Sequence, residues 1–530
     1  MQSDQRPWFW QGVAYEIYPR SFYDSNGDGV GDLKGITAKL DYLRQLGIGA
    51  IWLCPFYTSP MADFGYDVAD YYDVDPVFGS LEDFSELVQQ AHTRGIKVLV
   101  DLVVNHTSDE HSWFKESRES RDNPKRDWYL WQPPHPSGSP PNNWRSVFGG
   151  SAWEYDSMTS QYYLHSFSVK QPDLNWTNPE VRAAIKSVIT FWLNLGVDGF
   201  RADAVNWMSK DMLLRDDPPN PTAPQSNKFD YDALQHKFSE EGPQLYNYLK
   251  DITEDFGNYS GRFVVVEVSP NSSDQVQEYL KFYEYVDERH CAPFIFEPIF
   301  FSNEIMRLKD FVDRFQSQLK PDYLPIYTLG THDKPRLASR VGSGPLRLMA
   351  MMQLTLPGMP FIYYGEEIGM HDVVIPAGQQ KDIMYGSQSR DASRTPMQWD
   401  ISRNAGFSQG LPWLPVSDDY TELNVQVELA QSGSLLHFYR ALIRLRNDSP
   451  VLRYGAYQGL DLGNDIYGYA RHLDGQRMVV VMNFRSESAT VPLGELKGRI
   501  ILATDATPPE LSGVLQLGAE QGVIIALESV

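Results

Sequence analysis

Four short segments place acidic or imidazole side chains where an apolar, strand-like run ends: DLVVNH at 101–106, DGFRAD at 198–203, VVVEV at 264–268 and THD at 331–333. A carboxylate at the end of a buried β run is costly unless it does chemistry. Arg201 and Asp203 stand two apart on one strand and so face the same way. That spacing predicts that the guanidinium keeps the carboxylate ionised, as a nucleophile requires. Glu267 ends a separate valine-rich run, where partial desolvation is expected to raise its pKa towards that of a general acid, and Asp333 ends a third. Two carboxylates with different protonation states point to glycoside hydrolysis.

Such groups need a scaffold that brings several strand ends together. Short strand-like runs alternate here with amphipathic helical ones: AYEIYPRSF precedes LKGITAKLDYLRQLG, AIWLCP precedes SLEDFSELVQQAHTRG, and VLVDLVV precedes a long excursion. GFRAD, FVVVEV, APFIFEP, IYTLGTHD and MPFIYYGEE supply later strands, the sixth, APFIFEP, with the weakest pattern. Eight such units predict an α/β fold, a TIM (β/α)8 barrel, with catalytic groups at the C-terminal strand ends. The expected division is barrel over 1–104 and 175–448, with a small inserted domain after the third strand at 105–174, rich in Pro, Gly, Ser and Trp. The alternating pattern of 449–530 predicts a C-terminal antiparallel β-sandwich. A second insertion, 206–243, carries DDPPNPTAPQSN, which suits an active-site rim.

Length and composition bound the partners. A chain of 530 residues that is 42% hydrophobic exceeds the size at which single cores stop growing. A formal charge of −23 argues against nucleic acid or an anionic membrane as partner, since either requires a basic stripe. The two cysteines, Cys54 and Cys291, read as buried free thiols. Neither a basic-then-apolar leader nor an eighteen-residue apolar run is visible. The expectation is a cytoplasmic enzyme, monomer or homodimer, acting on a substrate small enough to be imported.

In these segments, and in YEIYPRSFYDSNGDGVGDLKGI near the start, GYDV at 65–68, QPDLNW at 171–176, YYGEEIGM at 363–370 and RTPMQW at 394–399, the chain resembles the α-amylase superfamily, glycoside hydrolase family 13. Within it the resemblance is to the oligo-1,6-glucosidase and α-glucosidase branch. It implies that Asp203 is the nucleophile, Glu267 the general acid/base and Asp333 a third carboxylate that steadies the transition state. His106, Arg201 and His332 would hydrogen-bond the sugar, though a lone buried histidine ordinarily reads as core. Tyr66, Phe148 and Phe167 would be its walls, where composition alone reads core aromatics. Asp67 and Arg394 would meet at the blind end of the pocket and grip a terminal glucose, which makes the enzyme exo-acting. Asp101 and Asn105 are assigned structural roles.

Related α-glucosidases with Val directly after the nucleophile favour α-1,6 links, and smaller or polar residues go with α-1,4; Ala204 therefore implies a preference for short α-1,4-glucosides, and the roles of Asp203 and Glu267 imply retaining hydrolysis. Thr331 replaces the family's usual Asn, Val266 its usual Gly, and the segment after Glu267 matches poorly. The leaving group thus stays open to glucosyl-transferring or isomerising relatives such as trehalose synthase, sucrose isomerase or sucrose hydrolase, and to a polyol glucoside such as glucosylglycerol. Non-catalytic relatives with this fold carry a membrane helix and incomplete carboxylates, unlike this chain.

The loop DSNGDGVGD at 24–32 carries its own chemistry. Asp24, Asn26 and Asp28 present oxygens at positions 1, 3 and 5, Gly29 turns sharply at 6, Val30 offers a carbonyl at 7 and Asp32 closes at 9. All-oxygen donors select a hard cation, so a structural Ca2+ is expected, with Mg2+ able to replace it. Position 12 is Gly35 rather than Glu, which excludes an EF-hand pair; a metal-free polar turn is the alternative.

Overall fold

The structure is a computed structural model that describes residues 6–528, except 224–229, 255, 257–258, 260, 269–273, 287–289, 383–388, 464–465, 495–496 and 506–512. Eight strands form one parallel sheet: β1 (Ala14–Ile17), β2 (Ala50–Leu53), β3 (Lys97–Val103), β4 (Gly199–Asp203), β5 (Phe263–Val266), β6 (Cys291–Ile295), β7 (Ile326–Tyr327) and β8 (Phe361–Tyr363). They run in the order β7-β6-β5-β4-β3-β2-β1-β8, and a bridge from Thr328 to Phe361 closes the ring. The weakly patterned sixth strand is therefore real: Val264 pairs with Cys291, and Phe294 with Ile326. Helices cover the outside, so β2, β4, β5 and β6 are buried at every position; β2, β5 and β6 read as continuous apolar runs, and β4 carries Arg201 and Asp203.

The helices follow ordinary start and stop chemistry. In α1 (Leu33–Leu46), the Asp32 carboxylate accepts the Gly35 N–H at the first turn, and Gly47 ends the helix at φ 96°. Leu33, Ile36, Leu40 and Leu43 recur at helical spacing and turn one face to the core.

Within 105–174, an antiparallel sheet orders Trp131–Gln132, Gln161–Leu164 and Trp153–Asp156 over a small core of Leu130, Trp144, Ala152, Trp153 and Leu164. Its roots are tied to the loop after β4 by Lys210. That buried ammonium donates to Asn105 Oδ1 at 3.1 Å and pairs with Asp173 at 2.8 Å.

The C-terminal strands β9 (Ala456–Leu460), β10 (Ile466–Leu473), β11 (Gln476–Asn483), β12 (Gly498–Ala503) and β13 (Gln521–Leu527) form an antiparallel sheet in the order β9-β10-β11-β13-β12. Alternation splits its faces. Tyr467, Tyr469, Val480, Met482 and Ile524 join the barrel core. Ala470, Val479, Val481, Val523 and Ile525 instead pack on the ribbon Ala489–Pro492 with Val514–Leu517. The joint is held by two arginines, Arg446 and Arg471, both 0% exposed and, among the described residues, without an ion pair. Arg446 donates to the Leu354, Leu356 and Gly358 carbonyls, and Arg471 to those of Thr355 and Gly455. Among the described residues no helix is long and apolar enough to cross a membrane.

Candidate active site

A cavity of about 740 Å³ opens at the C-terminal end of the barrel strands, where the four segments converge. Asp203 ends β4, Glu267 follows β5, and Asp333 lies in the loop after β7; all three line the cavity. Arg201, on β4, organises the first two. Its Nη1 donates to Asp203 Oδ1 at 2.6 Å and to Asp101 Oδ1 at 2.8 Å, and its Nη2 to Glu267 Oε2 at 2.7 Å. Asp101 is itself fixed by the Trp52 indole N–H at 2.9 Å, which gives it the structural role expected.

The protonation pattern differs from the sequence expectation. Burial pushes the Asp203 carboxyl well above its usual range; Arg201 opposes this, and the charges of Glu267, Asp101 and Asp333 add to it. The like charges come from other strands, which a single-strand argument omits. Asp333 goes the other way. Burial raises it, but the guanidinium groups of Arg390, Arg394 and Arg201 together hold it well below the usual carboxylate range. Arg394 Nη2 and Arg390 Nη1 donate to its Oδ1 at 2.8 and 3.1 Å.

The three aromatic residues singled out in the sequence come together at the cavity. Phe148, Phe167 and Tyr66 line the cavity with His106 and Ala204. Phe167 is the hub, with its ring 5.7 Å from Phe148, 5.2 Å from His106 and 5.0 Å from Trp207. Burial lowers His106 to about 4, so its imidazole is neutral at pH 7. Arg201 and His332 are 2% and 0% exposed and sit directly behind the wall rather than in it. His332 Nε2 meets the Tyr66 hydroxyl at 2.8 Å and Asp333 Oδ2 at 3.2 Å.

Asp67 and Arg394 do not meet, and neither lines the cavity. Asp67 is fully buried, and its oxygens accept the Asp63 N–H, the Ala62 N–H and the Ser59 hydroxyl at 2.8, 2.8 and 2.9 Å. Burial, partly offset by those backbone bonds, pushes its carboxyl to about 6. The Arg394 Nε donates to the His332 carbonyl at 2.8 Å. The residues that do close the cavity stand four positions earlier in each segment. Arg390 pairs with Asp63 at 2.5 Å, with Asp382 at 2.8 Å and with Asp333 at 3.1 Å. Gln171 supports Asp63 from behind, its amide donating to Asp63 Oδ2 at 2.9 Å and lying 3.1 Å from His106 Nε2. The only sequence signal for this pair was a second acid and a second arginine inside the same motifs.

In the loop 24–32, three side-chain turns curl the chain: Asp24 accepts the Asn26 and Gly27 N–H groups, Asn26 that of Asp28, and Asp28 that of Val30. A Cβ on Gly29 would lie 1.8 Å from the Leu411 carbonyl oxygen, so only glycine fits the turn. Asp32 bonds Ser25 and caps α1. The oxygen donors suit a hard cation. Among the described residues, though, the only three Asp, Glu, His or Cys ligand atoms within 4.8 Å of one another belong to Glu16, Cys54 and His332.

An eight-stranded barrel with three carboxylates and a clamping arginine at its C-terminal mouth defines a glycosidase of the α-amylase type. Residues 16–455 match the family described as α-amylase, catalytic domain, and the chain belongs to that family of glycoside hydrolases, in its oligo-1,6-glucosidase and α-glucosidase branch. It is 41% identical to an oligo-1,6-glucosidase of Parageobacillus thermoglucosidasius over 94% of each chain. It is 40% identical to an α-glucosidase of Culex pipiens, over 93% of this chain and 84% of that one. Among solved structures, an α-glucosyl transfer enzyme, XgtA, superposes with a TM-score of 0.93 at 36% identity, over 99% of this chain and 100% of that one.

Proposed function

We propose a retaining, exo-acting α-glucosidase that removes the terminal non-reducing glucose from short α-glucosides. The observation that carries this reading is that one guanidinium, Arg201, bonds both Asp203 and Glu267. Carboxylates held that close suit double displacement through a glucosyl-enzyme, whereas inversion needs a gap for water between them. Glu267 protonates the glycosidic oxygen as the Asp203 oxygen bonds to the anomeric carbon and the bond to the leaving group breaks. Water then gives its proton to Glu267, bonds to the same carbon and releases Asp203. Asp333, kept anionic by its arginines, favours the positive charge that develops on the sugar ring. The Arg390–Asp63 pair closes the cavity and supports exo action by offering charge-assisted hydrogen bonds to the outer hydroxyls.

Proton NMR of reactions with maltose, isomaltose, trehalose, sucrose and glucosylglycerol tests this. α-Glucose should be released first, and β-glucose would overturn the mechanism. Transfer or isomer products without free glucose would favour a transferring relative, the class to which XgtA belongs by its description.

Ala204 supports the α-1,4 preference. It lines the cavity directly after Asp203, at φ 49°, a left-handed conformation in which Ala is tolerated and a β-branched residue is strained. Ala204→Val should shift the maltose-to-isomaltose ratio of kcat/KM towards isomaltose by about ten- to two-hundredfold, the scale of a one- to two-carbon change. The ratio is the right readout because lost stability affects both substrates alike. An unchanged ratio would remove the assignment.

A structural Ca2+, replaceable by Mg2+, is the further part of this reading. Asp24, Asn26, Asp28, the Val30 carbonyl and Asp32 would hold it, tightening the loop packed against Ser408 and Leu411. EDTA should then lower Tm while leaving kcat at 20 °C unchanged, because an ion bound at a hundred times its Kd adds about 2.7 kcal/mol to the folded state. Equal Tm values with and without chelator would remove the ion. Cys54 and Cys291 are both buried and are not joined by a disulfide, which agrees with a reducing compartment, and we place the enzyme in the cytoplasm, with a small glucoside as its partner.

A further inference from the structure

Glu16 projects from β1 at the barrel centre and takes no part in the reaction described above. It is 1% exposed, and the one basic side chain paired with it among the described residues is His332. Three groups converge on its Oε1: the His332 backbone N–H at 3.2 Å, His332 Nδ1 at 2.7 Å and the Cys54 thiol at 3.6 Å. A backbone amide can only donate, so this oxygen acts as an acceptor, which favours a ring that carries its proton on Nδ1. Burial, stronger here than the neighbouring Asp333 charge, holds His332 well below its usual pKa and keeps the imidazole neutral. Burial also raises Glu16, and any proton it carries belongs on Oε2, since Oε1 is filled by donors.

A neutral ring protonated at Nδ1 has a lone pair at Nε2. That atom lies 2.8 Å from the Tyr66 hydroxyl and 3.2 Å from Asp333 Oδ2. The opposite tautomer would aim an N–H at Asp333 and engage the oxygen whose negative charge the sugar cation needs. The ring is stacked between Tyr18 and Tyr66, with centroids at 5.8 and 5.4 Å, which hinders its turning.

We propose that Glu16 is a positioning residue of the glycosidase reaction: by accepting the Nδ1 proton it fixes the His332 tautomer, so that Nε2 holds the Tyr66 hydroxyl and donates nothing to Asp333. This rests on the α-glucosidase reading for its kinetic consequence, though not for the tautomer itself.

The test uses the full chain, Glu16→Leu and Glu16→Gln, maltose kinetics, and the ring 15N shifts of 15N-histidine-labelled protein. Wild-type His332 should show Nδ1–H. Glu16→Leu removes the acceptor and should lower kcat by roughly ten- to a hundredfold, the scale of losing an orienting partner, with KM changed less than threefold. Glu16→Gln retains an acceptor oxygen and should restore most of that loss. An Nε2–H tautomer in the wild type, wild-type kcat in the Leu variant, or a Gln variant as impaired as the Leu variant would each overturn the proposal. If the Leu variant does not fold, the wild-type tautomer and the Gln variant decide. A wild type that cleaves no α-glucoside would sink the functional reading instead and leave the tautomer measurement standing.

Discussion

Asp203→Asn should lower kcat on maltose by about 10⁴-fold or more while leaving the fold and the Tm close to wild type, the scale seen when a nucleophile of a covalent mechanism is removed. The amide cannot bond to the anomeric carbon, so no glucosyl-enzyme should be trapped with a slow-leaving fluoroglucoside. Glu267→Gln should fall comparably on substrates with poor leaving groups and much less on those with good ones, because only the former need a proton. The same geometry sets the pH dependence. Asp203 must be an anion to attack, and burial together with neighbouring carboxylates pushes its pKa up. Activity should therefore fall with decreasing pH through a value above the ordinary aspartate range, and stay lost below it. An acid limb at or below the model-peptide aspartate value of about 3.9 would contradict that environment.

The second large effect is expected at Arg390. Replacing it by Met leaves Asp63 and Asp382, 4% and 1% exposed, with their cation removed. Stripping one partner from a buried ion pair costs about 3–5 kcal/mol, or a factor of roughly 10²–10⁴ in kcat/KM where the energy is expressed in substrate binding. Asp67→Asn is the informative contrast. That side chain faces only its own turn, so it should lower Tm and leave kcat/KM within threefold. If Asp67→Asn abolished sugar binding at unchanged Tm, and Arg390→Met did not, the blind end of the pocket would be where the motifs first suggested.

That Asp67 and Arg394 stand outside the cavity lining while Asp63 and Arg390 stand in it has one cause. DFGYD holds two aspartates four apart, RDASR two arginines four apart, and nothing in residue type distinguishes the member that faces the cavity. What distinguishes them is backbone geometry: Asp67 spends its oxygens on the amides of its own turn, a local demand invisible in a one-dimensional pattern. The convergence of Asp203, Glu267 and Asp333 on one cavity was legible because a barrel fixes where they point, at the C-terminal ends of its strands. The sixth strand was faint because APFIFEP begins with a proline-containing run and its pairing is supplied wholly by neighbours. The upward shift of Asp203 was not legible either, since it arises where several strand ends meet.

The joint between barrel and C-terminal sheet has an unusual character for a contact built on charge. Arg446 and Arg471 are solvated by main-chain oxygens around the end of the helix Leu346–Thr355, the negative pole of its dipole, and not by acidic side chains. Nothing there can be neutralised by acid or displaced by added salt, so the association should be indifferent to ionic strength in a way that surface ion pairs are not. It also makes the last strands a solvent for the barrel. Cutting the chain before β9 would remove Arg471, strip the Thr355 carbonyl of its donor and bare the tyrosine-lined face beneath, so the catalytic barrel should not survive as a free-standing fragment.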